Sequence, residues 1–229
     1  MKRINVSAAV SVAAAVVILL TGCANNPPPP DWQTNANSAL RDYSQAYLVG
    51  NNRVANLEFE RARGEIASTG RIDLLARAEL VRCAARAASL EMNRCTGFEA
   101  LAKDAGASER AYAAFLSAQL AEADVAALPE QYRPLAAAKE AASKNAALAA
   151  IKDPFSRLVG ASVLLQSGQL APSGIATAVN AASEQGWRRP LLAWLGVQLK
   201  RTEATGDVEA IGSIQRRIDL VIGDTSKAP

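Results

Sequence analysis

Ile72-Asp73-Leu74-Leu75-Ala76-Arg77-Ala78-Glu79-Leu80-Val81-Arg82-Cys83-Ala84-Ala85-Arg86-Ala87-Ala88-Ser89-Leu90-Glu91 is the stretch whose period decides the fold. Leu74, Leu75, Ala78, Val81, Ala85 and Ala88 recur at helical spacing and make one apolar stripe, while Arg77, Arg82 and Arg86 lie largely elsewhere. A half-buried strand would instead alternate apolar and polar residues with a period of two. The seam is built mainly from alanine, which lets a neighbouring helix approach closely, and stacked hairpins bury such seams on both sides.

The same character extends through the chain from Asp31, which is rich in alanine and free of sustained period-two alternation, in a sequence that is only 5% aromatic as a whole. The expectation is an all-α protein with helices near 32–49, 52–69, 72–91, 97–104, 108–127, 132–151, 154–167, 173–185, 188–205 and 207–222. Asp153-Pro154 sets a capping side chain ahead of a proline at the first helical position, where its missing N–H costs nothing. Thr96 and Glu99 have capping-box spacing, Asp207 can cap the last helix, and Gly70, Gly106, Gly186 and Gly206 suit helix C-terminal turns. Residues 32–223 form one helical domain in this reading and 224–229 a disordered tail, with a two-lobe division near Lys152-Asp153-Pro154 as an alternative.

Gly50, Ala55, Phe59 and Ala62 stand at offsets of five, four and three. This resembles the turn and second helix of a tetratricopeptide repeat, although Tyr43 occupies a place where that family has a small residue. A shorter echo begins at Gly206-Asp207-Val208. The resemblance implies an irregular right-handed stack of helical hairpins; a compact helical bundle is the alternative.

At the N-terminus, Lys2 and Arg3 precede an apolar run from Val6 to Leu20, interrupted only by Ser7 and Ser11. That run is shorter than the roughly 20 residues a membrane-spanning helix needs, so it reads as an export leader. Leu20-Thr21-Gly22-Cys23 resembles the lipobox of bacterial lipoproteins. The resemblance implies cleavage after residue 22, a diacylglyceryl group on the Cys23 thiol and acylation of the new amine. Two or three acyl chains, at about 0.8 kcal/mol per buried CH₂, hold far better than one. Ala24 stands where that family has Asp for inner-membrane retention, which points to the outer membrane, facing the periplasm. Pro27 to Pro30 then read as a stiff spacer within a tether spanning 23–31, extending about 3.1 Å per residue. The alternative is an ordinary leader or uncleaved anchor with a chance cysteine.

Loss of Lys2 and Arg3 lowers the formal charge from +3 to +1, so nothing supports nucleic-acid binding. In an exported chain Cys83 and Cys95, twelve apart, read as a disulfide; a redox-active pair would favour Cys-x-x-Cys spacing. The sequence has no histidine, which excludes Ser-His-Asp and Cys-His catalysis and His-ligated zinc. It also lacks GxSxG, SxxK, Walker and GxGxxG patterns. No catalytic residue, metal site or small-molecule cofactor is therefore expected, and the chain is read as a non-enzyme.

Two stretches are candidate surfaces. Arg61, Arg63, Arg71, Arg77, Arg82, Arg86 and Arg94 concentrate positive charge, either for an acidic partner or in pairs with nearby acids. Trp187, Arg188 and Arg189, with Trp194 nearby, have residue types enriched in binding hot spots; the expectation is a buried Trp194 and a partly exposed Trp187. The function that follows is a lipid-anchored periplasmic scaffold holding an envelope protein or peptide, in assembly, secretion or pilotin-like escort. The alternative is an enzyme or accessory factor of peptidoglycan metabolism.

Overall fold

The helix with the alanine seam, α3 (Ile72–Ala88), runs through the interior of the protein, and the other elements are arranged around it. The structure, a computed structural model, describes residues 28–225. The expected leader, Cys23, most of the proline tether and residues 226–229 lie outside the described residues.

Two helices precede α3 as a closely packed hairpin, α1 (Asp31–Val49) and α2 (Asn52–Ala67). Gly50 makes their turn at φ 95°, and the N–H of Asn51 returns to the carbonyl of Ala46, satisfying an orphan acceptor at the end of α1. After α3 come the short α4 (Thr96–Glu99), then α5 (Ala107–Leu116), 3₁₀ turns at Glu122–Ala127 and Glu130–Tyr132, and α6 (Arg133–Ala137). The chain closes with α7 (Ala141–Ala150), α8 (Pro154–Gln166), α9 (Pro172–Glu184), α10 (Arg188–Glu203) and α11 (Val208–Thr225). The fold is all-α: the described residues contain no strand.

Neighbouring helices pack in sequence order through α8, α9, α10 and α11, as in a hairpin stack. The stack does not extend as an open superhelix, in which each unit would touch only its neighbours. Instead α8 lies against α3, and α10 reaches back to α1.

That return explains why α3 is buried beyond the expected stripe. Ala78, Ala85 and Ala88 are buried as expected, but so are Ala76, Leu80, Ala84 and Ala87, while Leu74, Leu75 and Val81 are only half-buried. Trp194 of α10 is wholly buried and donates from Nε1 to the carbonyl of Ala88 at 3.0 Å, filling a gap that alanines cannot and satisfying a carbonyl at the end of α3.

The other consequence of double burial is Glu79, a carboxylate on α3 that is 1% exposed. Arg63 Nη1 donates to its Oε1 at 2.5 Å. Arg82 Nη2 lies 2.7 Å from Oε2, as an ion pair off the line of a well-formed hydrogen bond. Gly97 leaves room for this group: a Cβ there would stand 2.2 Å from Glu79 Oε2 and 2.8 Å from Arg82 Nη2. Gly97→Ala is therefore expected to displace the carboxylate and cost on the order of 1–3 kcal/mol, read by urea denaturation; an unchanged midpoint would show that Glu79 moves aside freely.

Several local expectations are corrected. Thr96 and Glu99 do not form a capping box: Cys95 occupies the cap position and Glu99 accepts two bonds from Arg94, at 3.0 and 2.8 Å. Gly106 precedes α5 at φ −71° and closes no helix. The continuous helices expected at 108–127 and 132–151 are both interrupted, after Leu116 and at 138–140. The first break turns Leu128, Tyr132 and Leu135 into the core, where Tyr132 meets Phe115 and Tyr112 with ring centroids 4.8 and 5.6 Å apart. α11 continues to Thr225, two residues into the stretch read as a disordered tail.

The remaining caps form as the sequence implies. Asp153 accepts from the N–H of Ser156 at 2.7 Å ahead of Pro154, and Asp207 accepts from Ala210 at 3.0 Å.

Candidate functional site

The aromatic and basic triplet that opens α10 is committed to internal packing. Trp187 is buried, contrary to the partial exposure expected for it; it donates to Gln45 Oε1 at 3.0 Å and meets Phe155 edge to face. Arg189 lies over the Tyr47 ring at 4.1 Å, donates to the Tyr47 carbonyl at 2.7 Å and to Glu91 at 3.2 Å, and also bonds Asn52. Arg188 directs Nε to the Val49 carbonyl at 3.4 Å. The three residues clamp α10 onto the α1–α2 turn, so their charge and ring area serve the fold. Burial first, and the adjacent Glu91 carboxylate second, push the Tyr47 hydroxyl well above the ordinary phenol range, although Oη has no well-aligned hydrogen bond.

The arginine cluster is likewise matched within the chain. Arg61 meets Glu58 at 3.1 Å and Arg77 meets Glu109 at 2.6 Å. Arg86 lies 3.7 Å from Glu91 and Arg94 2.8 Å from Glu99. Arg63 and Arg82 share Glu79. Arg71 binds Asp73 with two N–H groups and holds its carboxyl down to about 2. Burial, the largest single influence, would raise the Glu109 carboxyl, but the Arg77 hydrogen bonds, a backbone hydrogen bond and the Arg77 charge together outweigh it and the net shift is downward. A net positive field for an acidic partner is therefore largely cancelled at this face.

What the sequence did not reveal is a cleft beside the disulfide. Cys83 on α3 and Cys95 at the start of α4 stand at disulfide distance, with Cα atoms 5.8 Å apart. The bridge closes the loop 89–95, which leaves α3 through Leu90 at φ 60°, a left-handed conformation that costs a branched side chain about 1–2 kcal/mol. Between this loop, α4 and α5 lies a recess of about 550 Å³. Phe98, Leu116 and Met92 supply apolar surface, and Glu91, Asn93 and Gln119 supply polar groups. Met92 is 41% exposed, so it offers apolar surface to a partner at the mouth of the recess. On the far wall Gln166 of α8 donates to the Leu116 carbonyl at 3.0 Å and fixes the end of α5. An apolar floor with a few convergent polar groups suits an extended peptide segment or a ligand of similar size. The available signal was the cysteine pair itself, since a stapled loop must stand away from the helix that precedes it.

No group of three or more His, Cys, Asp or Glu side chains among the described residues is arranged to hold a metal ion. No described helix is long and apolar enough to cross a membrane. Compared with known protein families, curated proteins and solved structures, the chain matches none.

Proposed function

We propose that this is a lipid-anchored helical scaffold of the bacterial envelope that holds a protein or peptide partner in the cleft beside Cys83–Cys95. The cleft carries the binding half of this reading: it combines an exposed apolar side chain, Met92, with polar groups on a loop held by a covalent staple. A stapled loop loses little entropy when a partner docks, which favours recognition. The anchoring half rests on Leu20-Thr21-Gly22-Cys23, and an outer-membrane position facing the periplasm follows from Ala24. The short tether would keep the domain near the bilayer, where assembly, secretion or escort of envelope components takes place.

Photo-crosslinking in cells tests the cleft. A photoreactive residue at Met92 or Gln119 is expected to give a discrete adduct, and the same residue at exposed Glu209 on α11 is not. Equal labelling from all three positions would contradict a specific cleft.

A further inference from the structure

The two unexpected helix breaks converge on one pocket. It has a volume of about 260 Å³ and lies between the end of α5, the 3₁₀ turn 122–127, the α6–α7 connection and α8. Ala118, at φ 55°, lines it from the first break, and Ala138 and Lys139 line it from the second. Departures from locally consistent sequence concentrate at functional or strained places, which directs attention here.

The inner wall is apolar, with Phe115, Val125, Leu135 and Val163. Two ammonium groups stand among the lining residues, and they differ. Lys139 is matched by Glu122, with Nζ 2.6 Å from Oε1, an exposed pair between the 3₁₀ turn and the α6–α7 connection. Lys144 is half-buried and donates to the neutral Oε1 of Gln169 at 2.5 Å, with no carboxylate partner among the described residues. Unlike the clustered arginines, each of which has an acid, Lys144 keeps an unneutralised charge beside an apolar hollow. Its position is fixed by Asn145, which donates to the Gln169 carbonyl at 2.9 Å and accepts from the Ala171 N–H at 2.9 Å, tying α7 to the α8–α9 turn.

We infer that this pocket binds a single-chain aliphatic carboxylate, with its tail among Phe115, Val125, Leu135 and Val163 and its head on Lys144. One hollow and one unneutralised ammonium match one tail and one head. A hollow of about 260 Å³ is narrow for a drug-sized or branched ligand and suits one medium-length chain. An ammonium has three donors, so Lys144 keeps Gln169 and still meets a carboxylate. The inference is independent of both the anchor and the disulfide cleft.

The test is titration calorimetry of the full-length protein in lipid nanodiscs with sodium decanoate below its micellar concentration, empty nanodiscs serving as blank. Saturable binding is expected, weakened roughly tenfold or more by Lys144→Gln and retained by Lys144→Arg. Glutamine can still bond Gln169, so this variant removes the charge without emptying the position; unchanged circular dichroism verifies its fold. Decanol or decyltrimethylammonium binding as tightly as decanoate would overturn the inference, as would no binding or equal binding by Lys144→Gln. Tighter binding of acetyl-Ala-Ala-Leu with a free carboxylate would reassign the pocket to a peptide end and equally overturn it.

Discussion

Trp194→Ala is expected to destabilise the protein by about 3–5 kcal/mol, the largest effect of any single substitution considered. The indole is wholly buried at the junction of α10 with α3, and its removal takes away both the packing volume and the donor to the Ala88 carbonyl. The segment of α3 that its Nε1 reaches, around Ala87 and Ala88, carries only methyl groups and has little side chain to fill the gap. The loss also loosens the contact that brings the end of the chain back to its beginning, where α10 meets α1. Urea denaturation followed by helical circular dichroism measures it. A loss below about 1 kcal/mol would mean that the indole is not the central filler described.

Cys83→Ser is the second large effect. A closed loop of this length restricts the unfolded chain enough to contribute about 3 kcal/mol on the chain-entropy model. The helical signal should survive, since α3 is buried against several helices independently of the bridge. The loop 89–95 should become the first place cut by limited proteolysis, because without the bridge only a few backbone bonds and partly exposed ion pairs at Glu91 and Arg94 hold it. In the oxidised wild type, no free thiol is expected from Cys83 or Cys95 before reduction. Two reactive thiols in the native, unreduced protein would overturn the bridge.

The helical character and most helix positions were legible because they rest on local patterns: alanine seams, Asp153-Pro154, Asp207 and the glycine turn at Gly50. The interruptions were not, because they rest on contacts distant in sequence. Nothing near Ala118 marks a left-handed residue, and the break there is set by burial of Tyr132 and Leu135 farther along. The double burial of α3 was hidden for the same reason, since alanine on the arginine-bearing side reads equally well as a solvated face until α8 and Trp194 of α10 meet it. Residue type also misled at Trp187 and Arg189: rings and guanidinium groups enriched in interfaces are equally suited to joining two parts of one chain. The cleft beside the bridge was indicated only by the cysteine pair. The pocket at Lys144 had no sequence signal, because it arises where two interrupted helices meet.

The central claim, a scaffold held to the envelope by lipid on Cys23, is tested most directly by intact-mass analysis of the protein isolated from membranes with and without Cys23→Ala. The account predicts a wild-type chain beginning at Cys23 and carrying diacylglyceryl and acyl mass, with the variant left as an unmodified precursor. A wild-type chain without acyl mass, or acylation that survives in Cys23→Ala, would contradict it.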